Sequence, residues 1–563
     1  MTALRIALAQ INVTVGDLDG NRRRIEAAIH TAQAQVADVV VLPELAVTGY
    51  PPEDLLLKPQ FVDANQRALR QLTTHVRGLL ALVGFVDQGR RGVLHNAAAA
   101  LAHGRRLAVY DKQCLPNYGV FDEKRYFLAG VQPLLLDVCG VRIGVTICED
   151  LWEERPGREL ARAGAQLLVN LSASPYHAGK VRERERLFSR RARQHNVAVA
   201  YCNLVGGQDE LVFDGASFVL DRRGRPIGRA ALFREEMICV DLEEADLGPR
   251  RPRRLSRAAR ITLPRRSRPP MASTKRPWPQ RVEEVYEALT MGLRDYVRKN
   301  GFSTVVLGLS GGVDSALTAC LAVDALGPAH VRGIVMPSRF SSRATQRDAK
   351  ILGHTLGIEV HEISIEPVFR AYLHTLAPRF ADRAVDVTEQ NLQARIRGNL
   401  LMALSNKFGW LVLTTGNKSE MATGYCTLYG DMAGGFAVIK DVPKMLVYQL
   451  ARFRNARGLG APIPRSVLRR APTAELAPHQ TDQETLPPYP VLDGILKAYV
   501  EEDHSLRTIA RRLRAPAGLV RRVLRMVDRS EYKRRQGPPG IKITPKAFGR
   551  DRRIPITNQF EES

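Results

Sequence analysis

Residues 248–281, GPRRPRRLSRAARITLPRRSRPPMASTKRPWPQR, hold 12 Arg or Lys residues and no Asp or Glu. A stretch this basic, rich in Pro and Ser and without sustained periodicity, offers no continuous apolar face and reads as a linker. It divides the 563-residue chain into parts of 1–247 and 282–563. Each part is long enough to bury a core of its own. No internal repeat is apparent across the boundary.

The same stretch accounts for much of the charge. Of a formal net charge of +25, residues 248–281 supply +12 and residues 504–563 supply +11. The rest of the chain is almost neutral, so the basic balance reads as solvated charge with a general affinity for anions rather than duplex recognition. With 45% apolar and 25% charged residues, the chain is neither wholly disordered nor collagenous. No run approaches about 18 apolar residues, so no membrane helix is expected. The first ten residues read as a strand rather than a signal peptide. Seven cysteines, from Cys114 to Cys426 and none spaced Cys-x-x-Cys, argue against disulfides or a zinc knuckle and point to the cytoplasm.

On each side of the basic stretch, short apolar runs alternate with amphipathic ones. Before it, strands are expected over 4–10, 37–42, 79–86, 107–111, 142–147, 165–170 and 197–202, with helices over 21–35 and 178–194. After it, 282–299 reads as a helix, 304–309 as a strand entering a glycine-rich turn and then a helix over 316–325, and 331–336, 359–363 and 410–414 as strands. Two short basic helices, 506–513 and 519–527, fall in the tail. The first part is a layered α/β domain and the second a mostly parallel, doubly wound sheet.

Three polar residues terminate three of the early strands: Glu44, Lys112 and Cys148. Beyond the carboxyl ends of strands, a carboxylate, an ammonium and a thiol could carry out acyl transfer. The thiol attacks as thiolate, the carboxylate takes its proton and later activates water, and the ammonium stabilises the oxyanion. On spacing alone a core cysteine, a surface lysine and a helix-capping glutamate are the commoner roles for such residues.

LPELAVTGYPPEDLL around Glu44, YDKQCLPNYGVFDEKRYF around Lys112 and GVTICEDLW around Cys148 resemble the nitrilase superfamily, most closely its glutamine-hydrolysing amidase domains. The resemblance covers nearly all of 1–247 and implies an αββα sandwich. It makes Glu44 the general base, Lys112 the oxyanion-stabilising residue and Cys148 the nucleophile, with Glu123 as a second glutamate beside them. Tyr118, Ser174 and Lys180 fall where such domains contact substrate glutamine.

In the second part, a strand runs into Ser310-Gly-Gly-Val-Asp-Ser315 and then a helix. Small residues let backbone N–H groups approach a phosphate, and the helix N-terminus favours anions. Ser310 and Ser315 can donate hydroxyl hydrogen bonds, and Asp314 can hold Mg²⁺. This is not the P-loop signature, so transfer of a γ-phosphate is not expected.

SGGVDS in this setting resembles the ATP pyrophosphatase (adenine nucleotide alpha hydrolase-like) family, which splits ATP between its α- and β-phosphates. TEQNLQARIRGNLLMALSN, LVLTTGNKSEMATGYCTLYGDMAGGFAVIKDVPK and SEYKRRQ further resemble NAD synthetases. Over most of the chain the resemblance is to the bacterial glutamine-dependent NAD⁺ synthetase family. It implies that Gly308, Leu309, Ser310, Gly311, Gly312, Val313, Asp314 and Ser315 cradle ATP, with Thr415 on the adenine nucleotide. Glu420 and Asp314 would coordinate Mg²⁺, and Asn391, Glu420 and Lys533 would contact deamido-NAD⁺. Asp431 is a further candidate for that pocket, and Lys444 and Thr473 lie where ATP contacts are expected.

The resemblance implies amidation of deamido-NAD⁺ through an acyl-adenylate, with ammonia from glutamine. ATP and L-glutamine are then co-substrates and no redox cofactor is needed. It also implies homo-oligomers of at least synthetase-domain dimers, with neither a membrane nor a specific nucleic acid as partner. Other ATP-pyrophosphatase amidotransferases share the turn, but a thiolating member would want paired cysteines. The tail segment SLRTIARRLRAPAGLVRRVLRMV has helix-turn-helix spacing. The same pattern serves a packed hairpin that delivers Lys533.

Overall fold

The computed structural model describes residues 2–89, 92–250, 258–264, 268–272, 274–458, 460–478 and 480–560. The chain forms two compact units, the first of residues 1–208 and 212–279, the second of residues 280–563 together with 209–211. Among the described residues no helix is long and apolar enough to cross a membrane.

The first unit is built on two sheets. One runs, in spatial order, Glu236–Glu243, Thr2–Gln10, Val39–Val41, Leu80–Gln88, Leu94–Ala102 and Arg105–Asp111. The other runs Pro226–Arg229, Phe218–Leu220, Ala198–Asn203, Leu167–Ser172, Val141–Ile147, Leu134–Val138 and Ala258–Ile261. Alternate residues meet in one apolar layer: Leu4, Ile6, Leu8, Leu80 and Leu82 from the first sheet, Leu136, Ile143, Val145, Leu167 and Val169 from the second. The intervening residues Leu135, Leu168 and Val199 face outward instead, where they pack with Leu160, Phe188 and Ala192 of the helices Arg155–Arg162 and Lys180–His195. Covering both faces of a strand explains why these segments read as nearly continuous apolar runs.

All seven strands expected here are present within a few residues of their anticipated ends. Others were not anticipated. Leu94–Ala102 (LHNAAAALA) is alanine-rich and carries neither β-branched residues nor strict alternation, yet it pairs antiparallel with Leu80–Gln88 and Arg105–Asp111.

The basic stretch differs from the linker expected over 248–281. Ala258–Ile261 is the edge strand of the second sheet, parallel to Leu134–Val138, and Ile261 and Leu263 are buried in the core. Arg268 pairs with Asp38 at 2.7 Å, and the carbonyl of Pro269 accepts from buried Arg5. The apolar residues are thinly spread among arginines, and the acidic partners of Arg268 and Arg276, Asp38 and Glu236, lie elsewhere in the chain, so local composition reads as unpaired charge. Residues 251–257, 265–267 and 273 of that stretch lie outside the described residues.

The second unit carries a five-stranded sheet in the order Glu359–Glu362, Val331–Val335, Val305–Gly308, Leu411–Thr414 and Phe436–Ala437, paired in parallel throughout. The strand order reverses beside Val305–Gly308, the place where doubly wound sheets open a crevice at their carboxyl ends. The tail helices Leu506–Leu513 and Ala517–Arg529 bury Leu506, Ile509, Val520, Val523 and Val527 against Leu492 and Ile495 of Tyr489–Leu496. Their basic residues lie on the opposite faces, as a packed hairpin requires.

Candidate active sites

In the first unit the structure brings Glu44, Lys112 and Cys148 to one buried place, with Glu123 beside them. Lys112 Nζ donates to Glu44 Oε1 at 2.7 Å and to Glu123 Oε1 and Oε2 at 2.8 and 2.9 Å. Glu44 is wholly buried and Lys112 is 1% exposed. Glu44 also accepts from Asn96 Nδ2 at 2.7 Å and from the backbone N–H of Ala173 at 2.8 Å. The Tyr50 hydroxyl donates to Glu123 at 2.9 Å. A β-carbon at Gly84 would stand 2.3 Å from the carbonyl oxygen of Pro43 and 2.4 Å from the nitrogen of Leu45, so only glycine lets the Glu44 backbone lie this close to the neighbouring strand.

Burial opposes the charge on Lys112, but Glu123 and Glu44 outweigh it and hold the ammonium well above its ordinary pKa. Burial lifts Glu123 to about 7, with Lys112 pulling down and Glu44 pushing up. Burial and Glu44 push the Cys148 thiol well up, against the pull of Lys112. Burial thus favours the neutral thiol over the thiolate. Cys148 has φ +40°, a region that side chains avoid and that active-site turns favour.

The residues expected around glutamine are placed as follows. Tyr118 is exposed and its hydroxyl donates to both oxygens of Glu149, at 3.0 and 3.1 Å. Ser174 is buried, with its N–H on Asn203. Lys180 donates to the carbonyl of Pro175 at 2.8 Å and lies over the Trp152 ring. Asn96, Tyr50 and the Ala173 N–H were missed. The first sits in the alanine-rich strand and the last is backbone, so neither carries a side-chain signal.

In the second unit, residues Gly308 to Ser315 line a cavity of about 310 Å³ at the reversal point, together with Thr415, Glu420, Lys444 and Thr473. The turn braces itself: Ser310 and Ser315 hydroxyls lie 3.1 Å apart, and the Gly312 N–H donates to Ser310 Oγ at 3.2 Å. Gly311 has φ +79°, and a β-carbon there would meet the Thr345 carbonyl at 2.2 Å. Glycine is needed both for the conformation and for the approach.

Lys444 Nζ joins Asp314 Oδ2 at 2.6 Å and Glu420 Oε1 at 3.2 Å. Burial lifts Glu420 to about 7, with Lys444 pulling down and Asp314 pushing up. Glu420 is also the third residue of a capping box with Asn417, so it both starts a helix and faces the cavity. Asn417 in turn donates to Asp314 Oδ1 at 2.9 Å.

Asp431 lines the same cavity, and burial raises its carboxyl to about 6. Asn391 and Lys533 are not among the residues that line this cavity. Asn391 accepts from Thr427, and Lys533 Nζ grips the carbonyls of Gly424 and Cys426 at 2.8 and 2.9 Å. Arg397 and Arg470 also line the cavity and were missed. Arg470 donates to the carbonyl of Gly311 at 3.1 Å and pairs with Asp348. Both stand among many arginines, with no local signal to single them out.

Fold and sites thus define a carbon–nitrogen hydrolase joined to a nucleotide-binding α/β unit. Residues 5–252 match the carbon-nitrogen hydrolase family and residues 285–537 the NAD synthase family. A relative in Thermotoga maritima, "Glutamine-dependent NAD(+) synthetase", is 49% identical over 100% of both chains, and one of the same name in Aquifex aeolicus is 46% identical over 99% of this chain and 100% of that one. The glutamine-dependent NAD⁺ synthetase of Acinetobacter baumannii, solved in complex with ADP, superposes with a TM-score of 0.77 at 41% identity, covering 99% of this chain and 98% of that one. The chain belongs to the glutamine-dependent NAD⁺ synthetase family.

Proposed function

We propose that this chain converts deamido-NAD⁺, ATP, glutamine and water into NAD⁺, AMP, pyrophosphate and glutamate. The observation that carries the reading is the end-to-end likeness to glutamine-dependent NAD⁺ synthetases. The assignment of roles rests on the geometry of the two sites.

In the first unit, Glu44 takes the Cys148 proton as the sulfur attacks the carboxamide carbon of glutamine. Lys112 steadies the oxyanion, and Tyr118, Ser174 and Lys180 orient the substrate. Glu44 returns the proton to the leaving nitrogen, ammonia departs, and a thioester remains. Water activated by Glu44 then hydrolyses it to glutamate. Because burial favours the neutral thiol, the attack needs Glu44 to take its proton.

In the second unit, a carboxylate oxygen of the nicotinate attacks the α-phosphorus of ATP. The bond to pyrophosphate breaks, and an acyl-AMP replaces an acid that had no good leaving group. The turn N–H groups and Lys444 carry the charge on the phosphates. Ammonia attacks the acyl carbon, AMP leaves and the amide remains. Glu420, Asn391 and Lys533 hold deamido-NAD⁺.

Asp314 and Glu420 fit a magnesium site, since their oxygens already converge on the single Lys444 cation and are the hard donors that Mg²⁺ prefers. Among the described residues no three His, Cys, Asp or Glu side chains cluster as a metal set, so ATP phosphates would complete the shell. Magnesium, when bound, neutralises phosphate charge. On the same likeness we take the chain to be cytoplasmic and at least dimeric through its second unit.

The test follows NAD⁺ formation from deamido-NAD⁺ and ATP with magnesium, using glutamine or ammonium chloride as nitrogen source. Wild type should use both and release one AMP per NAD⁺. A chain that forms neither amide nor AMP refutes the reading.

A further inference from the structure

Asp150 is wholly buried, two residues past Cys148. Its carboxylate accepts four hydrogen bonds. Oδ1 takes the backbone N–H groups of Gln113 at 3.1 Å and Cys114 at 2.8 Å, the two residues after Lys112. Oδ2 takes the hydroxyl of Tyr110 at 2.8 Å, two residues before Lys112, and the backbone N–H of Ile147 at 2.9 Å, directly before Cys148.

Tyr110 belongs to the edge strand of one sheet and Ile147 to the end of a strand in the other. The sheets meet through an apolar layer. Apolar contact is non-directional, so it sets spacing but not the register of one strand end against another. A carboxylate with four donors sets both, because each bond has a preferred direction. Cys148 also needs holding, since its φ of +40° persists only where the surroundings over-determine it. The Ile147 N–H on Asp150 and the Cys148 N–H on the Leu171 carbonyl, at 2.8 Å, fix the chain at two successive residues.

We propose that Asp150 is a positioning residue for glutamine hydrolysis, the tie that sets where Cys148 stands relative to Lys112. It touches no reacting atom. The proposal rests on the reading of Cys148 as nucleophile and Lys112 as oxyanion partner, and it adds the group that holds them in register.

Asp150→Asn makes a sharp test. The amide carbonyl can still accept from Gln113 and Cys114. Its NH₂ would then face Tyr110 and Ile147. The tyrosine hydroxyl can turn and accept, but the Ile147 N–H cannot, so the bond beside Cys148 is the one lost. Misplacing a reacting group by about 1 Å costs on the order of 100-fold.

Glutamine-dependent turnover should fall by roughly 100-fold in kcat with KM for glutamine changed by less than about threefold. Ammonium-dependent NAD⁺ formation should stay at the wild-type rate and serves as the control for folding. Iodoacetamide labelling of Cys148, followed on its own peptide by mass spectrometry across pH 6–9, should slow roughly tenfold. Tyr110→Phe keeps the carboxylate and removes one donor, and should lose roughly fivefold in glutamine turnover. Glutamine turnover within twofold of wild type in Asp150→Asn overturns the proposal. So does a parallel loss of the glutamine and ammonium reactions, which marks a purely structural role. Failure of the parent reading would look different: a Cys148→Ala chain that still consumes glutamine.

Discussion

Each unit contains two carboxylates closed on one buried lysine, Glu44 and Glu123 on Lys112, Asp314 and Glu420 on Lys444. In each, burial lifts one carboxyl to about 7 and the carboxylates hold the ammonium above its ordinary value. The difference lies in what surrounds them. The side chains of Glu44 and Glu123 are 0% and 5% exposed, whereas Asp314 and Glu420 are 16% and 19% exposed and face a cavity beside the glycine turn. The first cluster is sealed beside the Cys148 sulfur, and the second opens toward the cavity at the glycine turn. On the proposed function the first manages a proton and the second the charge of a polyanion, so that one ionic arrangement would serve two chemistries.

The largest break of that comparison is Cys148→Ala. Glutamine-dependent NAD⁺ formation should fall at least about 1,000-fold while the ammonium reaction stays intact. If both reactions fell together, the two clusters would not have separate work. Next, Asp314→Ala should lower both reactions by roughly 100-fold or more, since it removes an oxygen from the phosphate side that every nitrogen source must use. An ammonium reaction unaffected by this change would remove Asp314 from the nucleotide site.

The raised carboxyls give a third test. Between about pH 4.5 and 7 the folded chain keeps protons on Glu123 and Glu420 that the unfolded chain has released. Their contribution to stability is therefore complete below that window and is lost as pH rises through it. Melting temperature should fall between pH 5 and 7.5. Glu123→Gln should flatten the fall by roughly 3 °C, and Glu420→Gln by less because its cluster is wetter. Identical wild-type and Glu123→Gln profiles would show that the sealed cluster stores no such proton. The smallest effect belongs to Tyr118→Phe. Tyr118 is exposed and loses one hydroxyl contact, worth about 1 kcal/mol or roughly fivefold in KM for glutamine, with ammonium kinetics unchanged.

The two clusters also differed in how far they could be read from sequence. Glu44, Lys112 and Cys148 each end an apolar strand and the Ser310 to Ser315 turn sits between a strand and a helix, but it is the resemblance of the motifs around them to known families that singles them out. Asn96, Asn417 and Arg470 had no such marker. Each matters through a partner 52 or more residues away, as in Asn96 with Glu44 or Asn417 with Asp314, and pairing at that range leaves no local pattern. The strand Ala258–Ile261 was hidden for the opposite reason: its neighbourhood carried too strong a pattern, a run of charge that masked four residues of sheet. The alanines of Leu94–Ala102 favour helices in isolation and became strand because two neighbours already supplied the ladder.

The grip of Lys533 on the carbonyls of Gly424 and Cys426 holds the backbone on either side of Tyr425, which lines the cavity of the second unit. Residues 424–431 carry Tyr425, Gly430 and Asp431 into the chamber, and the last helical turn, Glu531–Arg534, is what pins their backbone. One side chain thus ties two stretches of the second unit that lie more than 100 residues apart in the chain.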